Sequence, residues 1–308
     1  MKKTVVSFGE ILWDILPSCR VLGGAPFNFV FRVNSLGDSG LIISRLGQDS
    51  PGQKAVDKVS TLGLETTYIQ WDASRPTGTV QVSFDQHKNP DYLIVPQVAY
   101  DHIQLTDSLL DIASKADCIC FGTLIQREGQ SRDTLRRLLE NSHHSLKFCD
   151  INLRKKCYDR DTVAFSLDSS HVVKMNEDEA RQLAQMFGFS YRSISRLCEQ
   201  LVERWSLRYC LVTLAQYGAY ALSESGEEIY VPGYGIELAD SLGAGDAFSA
   251  GFIHEILRGA TVAQACGLGN IMGALVAAQK GATAVVTKED IDGFGTEGIA
   301  LNIHQEFL

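Results

Sequence analysis

The sequence predicts an α/β protein: a central, mostly parallel sheet with helices on both faces, extended by a small β lid. Short apolar runs alternate with helical periodicities over residues 5–63 and again over 118–187, the order that builds a parallel sheet covered by helices. Between Pro76 and Pro96 the period falls to two, Val80, Val82 and Phe84 interleaving with Thr79, Gln81, Ser83 and Asp85, which describes a hairpin with one apolar face. The 308 residues, 45% of them hydrophobic, can bury a large core, and no Pro/Gly/Ser-rich linker divides them. Residues 1–308 are therefore expected to form one unit, with lid segments near 11–24 and 76–97.

Taken in order, residues 5–8 form the first strand and lead into Gly9-Glu10-Ile11-Leu12-Trp13-Asp14. Gly23-Gly24-Ala25-Pro26 opens a helix toward Leu36; proline suits the first helical turn, where an N–H has no partner to lose. Asn34-Ser35-Leu36-Gly37 ends that helix, 41–44 is a strand, and 51–62 is a helix closed by Gly63. The 76–96 hairpin, with turn chemistry over 85–91, is expected to pack against strands from 11–22, since a lone two-stranded ribbon is marginal. Beyond it come strands at 118–121, 147–151 and 172–175 and helices at 131–140 and 178–187. Segments 208–214 and 219–222 flank a Gln216-Tyr217-Gly218 turn as a hairpin. Helices over 240–257 and near 261–278 precede an irregular end, and nothing in 293–308 suggests a role.

A net charge of −9 and a pI near 5.3 give no support for nucleic-acid or anionic-membrane binding. An anionic substrate must be gripped locally. The eight cysteines, at 19, 118, 120, 149, 157, 198, 210 and 266, make no CxxC pair or zinc-ligand cluster, which favours reduced thiols in a cytoplasmic protein. Met1-Lys2-Lys3 mimics the start of a signal peptide, but Ser7 and Glu10 interrupt the apolar run. Residues 259–279 carry no charge, yet Gln264, Asn270 and four glycines make a buried helix pair the expectation rather than a membrane span.

The chemistry is concentrated in Asp240-Ser241-Leu242-Gly243-Ala244-Gly245-Asp246. Two carboxylates bracket a glycine-rich turn that opens onto a helical pattern of Phe248, Gly251, Phe252 and Ile256. Glycines let successive N–H groups converge on an anion beside the unpaired donors of a helix start. A carboxylate held there suits a base that deprotonates a hydroxyl attacking phosphorus. Taken alone, the same residues also describe a tight turn whose acids complement the helix dipole.

The whole stretch resembles the second signature of the ribokinase-like (PfkB) carbohydrate kinases, Asp-Thr-x-Gly-Ala-Gly-Asp, with Ser241 in place of threonine. The resemblance implies a ribokinase-like three-layer core, Asp246 as catalytic base, Gly243, Ala244 and Gly245 as anion hole, and Asp240 near a monovalent cation. It extends along most of the chain and tightens toward the bacterial fructokinases. Glu10 to Asp14 and Leu22-Gly23-Gly24-Ala25-Pro26-Phe27-Asn28 are similar to the sugar-binding segments, which implies substrate contacts from Asp14, Gly23, Gly24 and Asn28. Pro76-Thr77-Gly78-Thr79-Val80 matches the lid strand, and Tyr100-Asp101 stands where Trp-Asp is common. Asp150-Ile151-Asn152-Leu153-Arg154 resembles the segment that meets sugar and phosphate, with Arg154 as a substrate contact.

Asn176-Glu177-Asp178-Glu179 resembles the family's Asn-x-x-Glu element. There Glu179 would order Mg2+ through water and Asn176 would sit near the phosphates; read alone, it is an acidic helix start. Lys174 would pair with phosphate or, as readily, snorkel at the surface. Thr213, Gly218 and Asn270 fall where the family lines its adenine-nucleotide groove, a purely structural asparagine being the other reading of Asn270. Ala215 replaces a glycine common in that turn. Gly281-Ala282 resembles the loop that, with Asp240, holds K+ in many members, largely through backbone carbonyls. Phe29 and Phe31 are bulkier than the residues usual there, as core aromatics often are.

The resemblance thus implies an ATP- and Mg2+-dependent sugar kinase, first of all a fructokinase making fructose 6-phosphate. A 2-keto-3-deoxygluconate kinase or another ribokinase-like sugar or nucleoside kinase shares these motifs. From a different class, a catalytically silent sugar-binding or regulatory protein is the alternative. Partners would be the sugar and ATP, with no nucleic acid and no membrane, and a homodimer built through the lid, as is common in the family.

Overall fold

The structure, a computed structural model, describes residues 1–16, 19–84, 90–294 and 298–308. Its strands are β1 Thr4–Phe8, β2 Leu12–Ile15, β3 Arg20–Gly23, β4 Ser39–Gly47, β5 Ile69–Asp72, β6 Gly78–Phe84, β7 Pro90–Ile94, β8 Cys118–Phe121, β9 Leu146–Asp150, β10 Val172–Asn176, β11 Tyr209–Thr213, β12 Ala219–Ser223, β13 Glu228–Val231, β14 Gly233–Tyr234 and β15 Leu301–Asn302. The helices are α1 Ala25–Ser35, α2 Ser50–Thr61, α3 Asp107–Lys115, α4 Gly129–Asn141, α5 Arg160–Asp168, α6 Glu177–Phe187, α7 Ile194–Trp205, α8 Ala244–Ile256, α9 Val262–Ala277 and α10 Lys288–Gly293.

Strands such as β1 and β8 are apolar at successive positions because both of their faces are buried. They form a nine-stranded sheet in the order β13-β12-β11-β10-β9-β8-β1-β4-β5. From β11 to β5 neighbouring strands are parallel, while β12 and β13 close the edge antiparallel. Alternate side chains feed two cores: Val6 and Phe8 meet residues of α3 to α7 on one face, and Val5 meets α1, α2, α8 and α9 on the other. The three-layer expectation holds. Phe29 and Phe31 are buried in the second core, with Phe29 stacked on Phe148 at 6.2 Å.

A second sheet, in the order β3-β2-β6-β7, stands off one end of the large one. Its central pair joins β2 to β6 in parallel, Leu12 opposite Gly78, and the predicted hairpin is β6 with β7. The hairpin's predicted turn falls on 85–89, outside the described residues. The Arg127 guanidinium anchors the base of this sheet: it donates to both Asp101 oxygens at 2.8 Å and to the Val95 carbonyl at 2.8 Å. Tyr100, wholly buried, fills the space that the missing side chain of Gly78 leaves.

Among the elements the sequence reading passed over are β5, β13, α3, α5 and α7. The three helices carry ordinary start signals, since Thr106, Asp159 and Ser193 each accept an N–H from the first turn. The end of the chain is ordered rather than irregular: β15 pairs with β14, and Phe307 stacks on Tyr230 and Tyr220 at 4.4 and 5.2 Å. The uncharged stretch after residue 259 is α9, packed along α8, and among the described residues no helix is long and apolar enough to cross a membrane. All eight cysteines are free; Cys19 is exposed and the other seven are buried.

Candidate active site

Parallel strands end on a common edge, where open α/β sheets bind ligands. Along that edge lies a cleft of about 830 Å³, reaching from Leu12, Asp14, Val80 and Ile94 of the small sheet, past α1 and the start of α8, to Thr213, Gly218 and Asn270.

At its centre α8 begins with the glycine turn. Gly243 has φ +80°, a left-handed conformation that side chains strain, and a Cβ there would lie 2.6 Å from that of Ala282. Asp246 falls at the third helical position, beside first-turn N–H groups that have no intrahelical partner. Of the three predicted anion-hole amides, that of Ala244 is drawn back toward the Ser241 carbonyl at 3.3 Å, a contact an anion would have to displace. Asp246 Oδ2 accepts from Asn28 Nδ2 at 2.9 Å. Desolvation, followed by the charge of Asp150, pushes its carboxyl up to about 6 despite Asn28, Lys174 and Arg154 pulling the other way.

Toward the small sheet the cleft presents Glu10, Asp14, Gly24, Asn28 and Arg154. Burial raises Glu10 to about 7 and Asp14 to about 6, and the Arg154 charge partly offsets both. Gly24 has φ +115° and abuts the Glu10 carbonyl. Gly23, predicted as a substrate contact, is not among the lining residues; it pairs with Leu12, and its bare Cα makes room for the Asp14 carboxylate, which a Cβ would meet at 2.7 Å.

Behind the turn, Lys174 is buried rather than snorkelling. Its Nζ donates to Asp150 Oδ2 at 2.9 Å, and a Cβ on Gly245 would meet that Nζ at 3.1 Å. Burial disfavours the ammonium, but Asp150, Glu179 and Asp246 outweigh it and raise its pKa. Asn176 caps α6 by accepting the Glu179 N–H at 2.8 Å, while Glu179 accepts the N–H of Asn176 and of Leu153, each at 2.8 Å. The acidic helix start and the cleft carboxylate are thus the same feature. Burial, aided by Asp150, raises Glu179.

At the far end, Thr213 and Gly218 flank the β11–β12 turn, where Gly218 (φ +90°) leaves 2.0 Å between a would-be Cβ and the Val231 carbonyl. Ala215 takes φ +50°, so the turn keeps a glycine-like path at a cost of roughly 1 kcal/mol. Asn270 lines the cleft, and its Nδ2 donates to the carbonyls of Val231 and Pro232 at 3.1 Å each. Asn302, from the C-terminal stretch, also lines this end.

Asp240 is not among the residues that line the cleft; it accepts from Leu242 N at 3.0 Å and Gly281 N at 3.1 Å. The sequence reading did not single out Glu10, Asp150 or Ser249, whose Oγ donates to Asp150 Oδ2 at 3.1 Å. Glu10 and Asp150 carried a usable signal: each is a carboxylate at or just beyond the C-terminal end of a buried parallel strand.

The family model for pfkB carbohydrate kinases matches residues 20–289. A sugar kinase of Pyrococcus horikoshii is 28% identical over 301 residues, 93% of this chain and 94% of that one. Its crystal structure, described as that of an uncharacterized sugar kinase, superposes with a TM-score of 0.81 at 25% identity over 94% and 97% of the two chains; it was also solved in complex with ATP. A fructokinase of Klebsiella pneumoniae is 28% identical over 302 residues, 92% of this chain and 96% of that one. A Vibrio cholerae fructokinase with bound fructose, ADP and potassium superposes with a TM-score of 0.81 over 95% and 98% of the chains, and at 21% identity it speaks for the fold alone.

Proposed function

The chain belongs to the pfkB family of carbohydrate kinases, phosphotransferases acting on a sugar hydroxyl, and from that premise we propose that it moves the γ-phosphoryl group of ATP to the C6 hydroxyl of fructose, giving fructose 6-phosphate and ADP. The observation that carries this reading is Asp246: a carboxylate at the start of α8, oriented by Asn28, with its pKa raised to about 6. A base so tuned is ionised at neutral pH yet basic enough to take a proton in the transition state.

Asp246 takes the hydroxyl proton as the oxygen attacks phosphorus, and the Gly243 and Gly245 amides stabilise charge on the transferring group. Lys174, beside Gly245 and paired with Asp150, presents an ammonium donor there. Asp14, Gly24, Asn28 and Arg154 bind the sugar, with Glu10 as a further acceptor, and closure of the small sheet excludes water that would compete as acceptor. The adenine nucleotide occupies the Thr213–Gly218 end. Glu179 fits a hydrated Mg2+: each oxygen accepts one amide and keeps acceptor capacity for the waters magnesium retains. That ion would supply charge neutralisation on the phosphates.

Arg154 favours a second reading, a 2-keto-3-deoxy sugar acid whose carboxylate it would hold. The test is coupled ADP release with MgATP over fructose, ribose, glucose, 2-keto-3-deoxygluconate, fructose 6-phosphate and adenosine. Turnover on fructose far above the rest is expected. Preference for the sugar acid replaces the substrate and keeps the mechanism, and no turnover on any of them overturns the enzymatic reading.

A further inference from the structure

Arg32, on α1 one turn beyond Asn28, is among the largest wholly buried side chains of the protein. Burying a guanidinium costs several kcal/mol unless something offsets it. Here no carboxylate lies within ion-pair distance among the described residues. Nη1 donates to the Ala284 carbonyl and Nη2 to the Ala282 carbonyl, each at 2.6 Å, while Nε has no partner. Desolvation lowers its pKa to about 10, with the charge of Asp246 acting in the opposite direction, so it is a cation at neutral pH.

The two carbonyls belong to the turn that supports the start of α8. Gly281 N donates to Asp240 Oδ2 at 3.1 Å, and the Gly243 backbone lies so close to Ala282 that a Cβ would meet the Ala282 Cα at 2.9 Å. Arg32 therefore grips the loop on which the anion-hole turn rests, while Asn28, on the same helix, holds Asp246. The loop resembles one that holds K+ through carbonyl oxygens, but the residues present do not fit that ion. Two of the carbonyls already receive a charged donor, and a monovalent cation held by them would face a buried guanidinium of the same sign.

We infer that Arg32 is a positioning residue that replaces the monovalent cation: its guanidinium gathers the 282 and 284 carbonyls, fixes the anion-hole turn, and leaves phosphoryl transfer independent of added potassium. This rests on the sugar-kinase reading for its catalytic consequence and on the geometry alone for its structural one.

The experiment has an arm for each. Thermal unfolding of the wild-type protein is compared in about 100 mM KCl and choline chloride, at matched ionic strength so that screening is equal; the midpoints should coincide. A potassium-specific rise overturns the inference, whether or not any sugar is turned over. Turnover on whichever sugar the panel identifies should then change less than about twofold between the two salts, and activation by potassium of about tenfold or more overturns it. Arg32→Ala should lower kcat and acquire potassium-specific recovery of both kcat and the unfolding midpoint, with Arg32→Lys keeping most of the potassium independence. An Arg32→Ala protein that loses activity with no cation-specific recovery would reduce Arg32 to packing and defeat the proposal. If that variant does not fold, the two wild-type comparisons still decide.

Discussion

The carboxylates of the cleft and those of the scaffold are all desolvated by the fold, yet they respond in opposite ways. Asp72 is buried, but the N–H groups of Ser74 and Arg75 donate to it at 2.9 and 3.0 Å, the Ser74 hydroxyl at 2.9 Å, and Arg45 lies 3.2 Å away. Burial opposes its charge, and these donors overcome that and hold it near 2. Asp38 likewise overcomes burial with Arg258, the Lys3 amide and His254, and is lowered. Glu10, Asp14 and Asp246 are desolvated without enough donors and stand at about 7, 6 and 6. The difference teaches where a site is to be sought: scaffold carboxylates have their partners inside the fold, whereas Glu10, Asp14 and Asp246 face the cleft with fewer donors than burial calls for.

The largest expected effect breaks the cleft side. Asp246→Asn should keep sugar and ATP binding but lower kcat by about a thousandfold, read in steady-state kinetics against ligand titration; near-normal turnover would remove Asp246 from the chemistry. Next comes the scaffold side. Asp72→Ala strands Arg45 and several N–H donors, so it should cost about 2–4 kcal/mol, read as a lowered unfolding midpoint, with kcat of the folded enzyme unchanged.

A pH profile sharpens the contrast. Because the base must be ionised, kcat/KM should rise as pH passes through about 6 to 7, Asp246 and Glu10 titrating as neighbours; a profile flat from pH 5 to 8 would contradict the assignment. For stability the signs oppose. Asp72, depressed from 3.8 to about 2, contributes above its unfolded value, and that contribution is lost as pH falls through 2. Glu10, raised from 4.5 to about 7, favours the folded state most below its unfolded value and loses that benefit as pH rises through 7. Glu10→Gln should accordingly raise the unfolding midpoint by about 2–4 °C at pH 8 and leave it nearly unchanged at pH 4. An equal shift at both pH values would mean that packing, not charge, explains Glu10.

Much of the fold was legible because its signals are local. The continuous apolar strands, the change to period two at 78–84 and the proline at the start of α1 each depend on a few neighbouring residues. Helices α3, α5 and α7 had caps but were passed over between louder segments. The C-terminal stretch was unreadable for a physical reason: Phe307 is anchored by Tyr220 and Tyr230, some eighty residues earlier, and no short-range pattern announces a distant ring stack.

The site divides in the same way. Asp246 and its glycines stood out in the sequence because a glycine-rich turn bracketed by carboxylates opens a helix there, and the structure puts Gly243 in the left-handed conformation at that start. By itself the sequence determined the strand–helix alternation that makes the sheet parallel, the glycine turn that bears Asp246, and, through its resemblance, the family. Only the tertiary structure decided the desolvation of Asp246, the withdrawal of Lys174 from the surface, the pairing of Gly23 with Leu12, the bonds of Asn270 to the Val231 and Pro232 carbonyls, and the seating of Arg32 on the 282 and 284 carbonyls. These depend on desolvation and on partners up to about 250 residues apart along the chain, and both come into being only when the layers pack.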